Sequence, residues 1–256
     1  MYTGDRLGNI EAMLRRPLEP CLIALLTLAL GCATSGESLS GEPATPVDDT
    51  AEKKQKDAWA ARTLTELEQR LQAASRVEIA FVIESEGAVV SQLEGTLVWE
   101  RDGALSWTAR GPMFGEHQQL ELRGDAQVLE VLGAGASRGS GPRPPALVEA
   151  VVIGLTRQGL LHNLAMLVGG LPPDHADGGV AEWVEVVEPQ LGEPEVFGAG
   201  EARPLEFQIT VSDQLVGRAT LWLDERGLPI ERRQVVGFPE GQMRVTERYT
   251  SFVVVD

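Results

Sequence analysis

Apolar and polar residues alternate along most of the chain after position 76, and this period of two restricts the fold more than any other feature. In the run 77–83 every second residue is apolar, namely Val77, Ile79, Phe81 and Ile83. Successive side chains of a β-strand point to opposite faces, so this run predicts a strand with one buried face. Asp102-Gly103 predicts a two-residue hairpin turn further along. Similar runs predict strands at 93–99, 105–109, 120–122, 128–132, 180–188, 204–212, 215–224, 229–236 and 242–255.

Three segments carry helical features instead. Thr63-Leu64-Thr65-Glu66 is a capping box, which predicts that a helix begins at Thr63. Apolar residues follow it at helical spacing: Leu64, Leu67, Leu71 and Ala74. After a loop rich in Gly, Ser and Pro at 133–145, the stretches 146–158 and 159–168 are apolar on every face and must be buried on both sides. Strands, a helical interruption and more strands predict an α+β fold, in which helices cover one side of a curved antiparallel sheet.

The N-terminal region has the organisation of a secretory signal. Arg15 and Arg16 precede a short apolar run at 21–30, which ends at Gly31-Cys32. The run is shorter than the roughly 20 residues that a membrane-spanning helix needs. The segment resembles a bacterial lipobox, whose cysteine is diacylated and becomes the new N-terminus, with Ala29 in place of the usual leucine. The alternative is an ordinary core helix that contains a buried cysteine.

These features divide the chain into three predicted parts. Residues 1–31 are a cleaved signal peptide, residues 32–58 are the acylated cysteine and a flexible tether, and residues 59–256 are the folded domain. The tether is predicted from the Ser, Gly, Thr, Pro and acidic residues at 33–52. Such a composition buries too little apolar surface to offset the entropy of ordering.

Composition and motifs exclude several classes of function. The chain has 22 basic and 38 acidic residues and a net charge of −16, whereas nucleic-acid binding requires clustered basic residues. Gly133-Ala134-Gly135 is not followed at once by a helix, so it does not predict a dinucleotide loop. Asp174, His175 and Asp177 lie among prolines and glycines without a second ligand pair, and single histidines stand at 117 and 162. We therefore predict no catalytic constellation, no metal and no other cofactor.

One hairpin and one late segment resemble a known family. The hairpin reads Leu93-Glu94-Gly95-Thr96-Leu97-Val98-Trp99-Glu100-Arg101-Asp102-Gly103-Ala104-Leu105-Ser106-Trp107. It resembles the first hairpin of the periplasmic lipoprotein carrier family, the LolA-like proteins and their LolB receptor relatives. The matching positions are Gly95, Leu97, Arg101 and Trp107, whereas Glu100 and Asp102 replace a basic residue and a proline. The segment 219–224 with 227–229 resembles the late hairpin of related lipoproteins, so the resemblance extends over most of 60–256.

The resemblance implies an open, unclosed half-barrel whose helices plug the mouth over an apolar cavity. It implies that Arg101 bonds backbone carbonyls of the covering lid and keeps the cavity shut. The alternative is a surface arginine paired with Glu100 or Asp102. Trp99 and Trp107 are expected either to line the cavity wall or to fill the core. From the two apolar helical stretches we expect ligand or lid contacts by four leucines: Leu155, Leu160, Leu164 and Leu167.

The sequence therefore predicts a non-catalytic, membrane-anchored envelope lipoprotein that binds a hydrophobic ligand, the acyl chains of lipids or lipoproteins, in a half-barrel cavity. Its expected partners are membrane lipid, through acylated Cys32, the acyl-chain ligand and other lipoproteins, with a role in lipid or lipoprotein trafficking. Ala33 stands where an aspartate retains some lipoproteins at the inner membrane, which favours the outer membrane facing the periplasm. The alternative function is a protein-interaction or envelope-sensor domain of the same fold, with a filled core and no bound lipid.

Overall fold

The computed structural model describes residues 49–113, 115–133, 136–143, 145–161, 182, 184–198, 200–211, 214–238 and 241–256. The predicted signal peptide, Cys32 and the tether up to residue 48 lie outside these residues. Most of the second apolar helical stretch, with Leu164 and Leu167, also lies outside them, as do His162 and the loop at 174–177. No helix in the described part of the chain is both long enough and apolar enough to cross a membrane.

One long helix, α1, precedes the sheet and spans Asp49–Ala73. The predicted helix start at Thr63 is therefore wrong, and the prediction of a flexible tether is wrong for its last part, 49–58, because these residues are already helical. The Thr63 hydroxyl donates to the carbonyl of Trp59 one turn earlier, at 3.1 Å, instead of capping a helix. The added turns are rich in Ala, Lys, Gln and Glu, which favour helices intrinsically. The predicted apolar face is confirmed, since its residues are buried: Leu64, Leu67, Leu71 and Ala74.

Twelve strands follow among the described residues. Their bounds are β1 Arg76–Gly87, β2 Ser91–Glu100, β3 Leu105–Met113, β4 Glu116–Gly124, β5 Val128–Gly133, β6 Ala136–Pro142, β7 Val184–Leu191, β8 Glu195–Phe197, β9 Gly200–Val211, β10 Gln214–Leu223, β11 Pro229–Phe238 and β12 Gly241–Val255. A short helix, α2 (Leu147–Ile153), and a π-helical turn (Gly154–Gln158) lie between β6 and β7. The prediction of a loop at 133–145 is wrong, because β6 lies there. Its sequence has no apolar alternation, and it pairs with β5 through backbone bonds.

The strands form one antiparallel sheet of order β6-β5-β4-β3-β2-β1-β12-β11-β10-β9-β7, with β8 attached to β9. The two outermost strands of this order, β6 and β7, are not bonded to each other, so the described sheet is not closed into a barrel. Irregularities in pairing at Ala80/Phe81 and at Trp222/Leu223 bend the strands. The predicted α+β fold with an unclosed antiparallel half-barrel is confirmed.

The inner face of the sheet is the face that carries the buried apolar residues of the alternating runs and packs against the helical segments. The strand register places Ile79 of β1 beside Leu97 of β2 and Phe252 of β12. The Phe81 ring lies over Gly95, where any side chain would overlap that ring and the neighbouring strand. One continuous cluster of buried residues therefore extends from α1 across the sheet, from Leu129 on β5 to Val184 on β7.

Candidate functional site

Trp99 on β2 and Trp107 on β3 lie on the inner face of the sheet. In the β2–β3 ladder Trp99 is opposite Leu105 and Trp107 is opposite Leu97, so the two indoles are diagonal neighbours. Their side chains are buried, with residue exposures of 2% and 0%. The rings of Phe81 and Trp107 are perpendicular, with centroids 6.5 Å apart. The two tryptophans thus form an aromatic surface inside the apolar cluster.

Three buried side-chain atoms in the described part of the chain have no hydrogen-bond partner. They are Nε1 of Trp99, Nε1 of Trp107 and Nε2 of Gln158. All three carry N–H groups and act only as donors. Buried donors are normally paired, because an unpaired one costs about 1–3 kcal/mol. The described interior is therefore short of hydrogen-bond acceptors.

The helical segment α2 and the π turn cover the inner face. Leu155 in the π turn and Leu160 just after it are fully buried in the same apolar cluster as the tryptophans. Of the four leucines expected to contact a ligand or form a lid, the structure describes these two. Single π-helical turns are rare and frequently occur at functional sites.

Arg101 lies in the loop between β2 and β3. The loop is longer than the predicted two-residue turn, because the N–H of Glu100 donates to the carbonyl of Ala104 at 2.8 Å. Gly103 takes a φ of 104°, as expected for the left-handed residue of a three-residue hairpin loop. The fixed loop directs Arg101 towards the end of α1.

The Arg101 guanidinium donates to the carbonyl of Ala73, the last residue of α1. The last carbonyls of a helix have no partner within it, and a cation there is favourable. Arg101 therefore bonds a backbone carbonyl of a covering helix, but of α1 rather than of α2. The predicted alternative, pairing with Glu100 or Asp102, is wrong: Glu100 pairs with Arg76, and Asp102 accepts the N–H of Ala104.

The π turn is held to the sheet by Arg232 on β11. This side chain is almost fully buried, with an exposure of 1%. Its Nη1 donates to the carbonyl of Thr156 at 3.1 Å, and its Nη2 donates to the carbonyl of Arg157. The Oε1 of Gln234 accepts from Nε and Nη2 at 3.3 and 3.1 Å. Arg232 thus satisfies carbonyls at the end of the helical segment that would otherwise be unpaired.

Glu247 on β12 stands opposite Arg232 in the ladder and is also buried. Its Oε1 accepts the N–H of Leu161 at 3.2 Å, and its Oε2 accepts the hydroxyl of Tyr249 at 2.8 Å. Burial, reinforced by the Glu247 charge, raises the pKa of Tyr249 well above its usual value. Burial lowers the pKa of Arg232, and the charge of Glu247 opposes that shift. The two charged residues therefore hold the chain on either side of the turn at 158–160.

A buried salt bridge ties the same turn to α1. Arg157 donates to Glu68 through Nε to Oε1 and through Nη2 to Oε2, each at 2.7 Å. Its Nη1 also donates to the carbonyl of Val184 at 2.6 Å. The Thr156 hydroxyl donates to Oε1 of Glu68 at 2.9 Å. The π turn is therefore attached to α1, β7 and β11 by polar side-chain contacts.

The sequence pattern did not single out Arg232 or Glu247. One signal was present, because both stand at inner-facing positions of the alternating runs 229–236 and 242–255. A charged residue at such a position must find buried partners. Those partners lie far away in the sequence, so they could not be named from the pattern.

The outer face of the sheet carries a polar groove of 860 Å³ across β1, β7 and β9 to β12. Its charged lining has both signs: Glu84, Glu86, Glu188, Glu206, Arg218, Arg233 and Arg244. Some of these side chains pair with each other, as Arg244 does with Glu86 at 3.5 Å. This groove does not suit an acyl chain.

Fold and contacts together define an α+β protein with an open antiparallel sheet, whose apolar inner face is covered by helical segments. No family model matches the sequence, and no curated protein matches it. The structure is similar to a β-barrel-like protein of the DUF1849 family from Brucella abortus, with 10% identity over 72% of this chain and 99% of that chain, and a TM-score of 0.30. It is also similar to a DUF1329 family protein from Desulfovibrio piger, with 9% identity over 78% and 93% and a TM-score of 0.31. A LolA superfamily protein from Nitrosomonas europaea aligns with 13% identity over 77% and 94% and a TM-score of 0.29. None of these alignments assigns the chain to a family.

Proposed function

We propose that the protein binds a hydrophobic ligand, an acyl chain of a lipid or of a lipoprotein, on the inner face of its open sheet. One observation carries the proposal: the unclosed sheet has a continuous apolar face, which includes Trp99 and Trp107 and is covered by short helical segments. Apolar ligands bind in concave apolar sites of this kind. Each buried methylene contributes about 0.8 kcal/mol, so a long acyl chain has ample driving force.

Entry of an acyl chain requires the cover to move, and we propose that the segment 147–161 is the lid. It is attached through polar contacts with Arg232, Glu247 and Glu68. Hydrogen bonds with such charged groups contribute about 1.5–3 kcal/mol each, and a bound acyl chain would replace the apolar contacts that the segment gives up. None of these contacts belongs to the backbone ladder, so the lid would open with the sheet intact.

Membrane attachment is part of the same proposal. We propose that Cys32 is diacylated and anchors the protein in the cell envelope, at the outer membrane facing the periplasm. The run 21–30 and the residues around Cys32 support this. A net charge of −16 opposes ionic binding to anionic headgroups, so the acyl chains would supply the attachment. Membrane lipid and other lipoproteins are the proposed partners.

The test uses the full chain with Cys32→Ala, which carries no acyl group at that position. We expect native mass spectrometry of detergent-free protein to show bound lipid, and a fluorescent fatty acid to bind saturably. Leu155→Gln, which changes a buried residue, should weaken this binding, whereas Val235→Gln on the outer face should not. Circular dichroism verifies that both variants are folded. A bare chain that takes up neither a fluorescent fatty acid nor a fluorescent acyl ester contradicts the proposal.

The second candidate function is a protein-interaction or envelope-sensor domain that binds no lipid. The observation that favours it is the filling of the described interior, where Trp107, Val151, Leu155 and Leu160 are all fully buried. Under this candidate, lipid leaves the thermal unfolding temperature unchanged. Under the acyl-chain proposal, lipid raises that temperature, because a ligand that binds only the folded state stabilises it.

A further inference from the structure

We propose that Trp99 and Trp107 recognise the carbonyl group of the bound acyl chain, and that the ligand is a neutral acyl ester or amide. This inference rests on the proposed acyl-chain function and specifies its chemistry. The observation behind it is that both indole Nε1–H groups are buried without a hydrogen-bond partner. Such donors are destabilising unless something supplies an acceptor.

The two donors belong to one surface. Trp99 and Trp107 lie diagonally across the β2–β3 ladder on the inner face, a relation in which Cβ atoms are typically somewhat less than about 7–8 Å apart. Aromatic side chains at that spacing are within reach of each other, so one ligand group placed between them contacts both. An indole N–H is a donor and never an acceptor, so neither ring can satisfy the other.

The chemical type of the unpaired groups identifies the missing hydrogen-bond partner. Every unpaired buried side-chain atom in the described part of the chain is a nitrogen that donates, and none is an acceptor. A carbonyl oxygen is an acceptor with two lone pairs. An acyl ester or amide places such an oxygen at one end of an apolar chain, which matches two donors set in an apolar cluster. A plain hydrocarbon would fill the same space and leave both donors unpaired.

The buried charges of the described interior favour a neutral carbonyl over a carboxylate. Among the residues that the structure describes, Arg232 is the one basic side chain that is fully buried. Its guanidinium is already bonded to the carbonyls of Thr156 and Arg157 and to Gln234, and it stands opposite Glu247. A carboxylate bound at the neutral indoles would be buried without a free countercharge, which is costly.

The experiment compares three ligands with the same chain length: hexadecane, methyl palmitate and palmitate. Each is delivered from cyclodextrin to the full Cys32→Ala chain, and displacement of N-phenyl-1-naphthylamine reports binding. We expect methyl palmitate to bind roughly tenfold more tightly than hexadecane, the ratio expected for one buried hydrogen bond. Palmitate should bind more weakly than its ester at neutral pH.

Phenylalanine variants test the tryptophans directly. In the double variant Trp99→Phe with Trp107→Phe the ratio of ester affinity to hexadecane affinity should fall to about one, whatever change the lost indole surface causes in hexadecane binding itself. Trp59→Phe is the matched control, because Trp59 is half exposed on α1. It should keep the full preference.

Indole NMR gives a second measurement, which does not depend on whether a variant with a changed interior still folds. The chain has five tryptophans, so its indole Nε1–H signals are few. We expect methyl palmitate to shift two buried indole signals downfield, as a new hydrogen bond does, and hexadecane to leave them in place.

Two results overturn the inference while the proposed function survives: equal binding of ester and hexadecane, or an ester preference that persists in the double variant. Tighter binding of palmitate than of its ester overturns the assignment of a neutral carbonyl. Binding of none of the three ligands overturns the inference and the proposed function together.

Discussion

At the scale of single residues, adjacent arginines of β11 have opposite environments. Arg232 faces inwards and bonds the carbonyls of the π turn, whereas Arg233 faces outwards. The Arg233 guanidinium lies 4.7 Å from the ring centroid of Trp222 and pairs with Glu231 at 2.6 Å. The strand period of two alone produces this difference, because neighbouring side chains point to opposite faces.

This contrast gives a matched pair of substitutions. We expect Arg232→Met to lower the free energy of unfolding by about 3–5 kcal/mol, because Glu247 is left buried opposite an apolar residue. Arg233→Met should lower it by only about 1 kcal/mol, because Arg233 is exposed and the buried Glu231 keeps its second partner, Arg248, at 3.3 Å. Urea unfolding of the full Cys32→Ala chain measures both values. Equal losses in the two variants would show that Arg232 does not hold the lid.

At the scale of elements, the π turn depends on one glycine after it. Gly159 has a φ of 92°, and a Cβ there would lie 2.7 Å from Oε1 of Glu247. The same Glu247 oxygen accepts the N–H of Leu161, where the chain becomes helical again. The turn therefore requires a residue without a side chain both for its backbone conformation and for the space beside Glu247.

Alanine substitutions test the requirement for glycine at 159. Gly227 also has a positive φ, 74°, but a Cβ at that position would have open space around it, so Gly227→Ala measures the strain of a positive φ alone. That strain is roughly 1–2 kcal/mol. Gly159→Ala should lose a further 1–3 kcal/mol or so, because the added methyl crowds a packed interior and because its φ and ψ of 92° and 156° are almost restricted to glycine. Thermal and urea unfolding check the difference, and equal losses in the two variants would contradict both reasons.

The elements that could be predicted from the sequence are those whose burial on one face produces a periodic pattern of apolar residues. The run 77–83 indicates β1, because one face of that strand is buried and the other is not. The match to the carrier family at Gly95 also has a physical reason, because the Phe81 ring occupies the space that a side chain at position 95 would need. The order of strands in the sheet, with β1 beside β12, produces no such pattern in the sequence, because it depends on contacts between the two ends of the domain.

The errors arose where a local signal competed with a stronger one. Thr63 resembles a cap, yet the ten residues before 59 already favour helix, and the Thr63 hydroxyl bonds back to Trp59. β6 has the composition of a loop and is held by backbone pairing with β5. Arg101, Arg232 and Glu247 each bond a backbone group from a distant part of the chain, and the position of such a group depends on the fold and not on residue type.

At the scale of the whole molecule, the protein combines an unclosed sheet, whose apolar inner face is covered, with a strongly acidic chain. The net charge of −16 favours solubility and opposes contact with anionic membranes. The domain would therefore reach a ligand in a membrane only if something holds the domain close to that membrane. An N-terminal acyl anchor would supply that proximity by raising the local concentration of domain and lipid.

The two cysteines of the chain make this anchor testable, because they occupy different sides of the proposed cleavage point. In a bacterial host grown with labelled palmitate, we expect the full chain to take up label and to sediment with membranes. Cys32→Ala should abolish both, since it removes the acylated thiol. Cys21→Ala should retain both, because Cys21 would leave with the signal peptide, and the mature mass should begin at Cys32 plus its acyl groups. Label that persists in Cys32→Ala, or is lost in Cys21→Ala, would place the attachment elsewhere. The acyl chains at Cys32 bind a bilayer through the same methylene burial, about 0.8 kcal/mol per group, that would drive a ligand into the sheet.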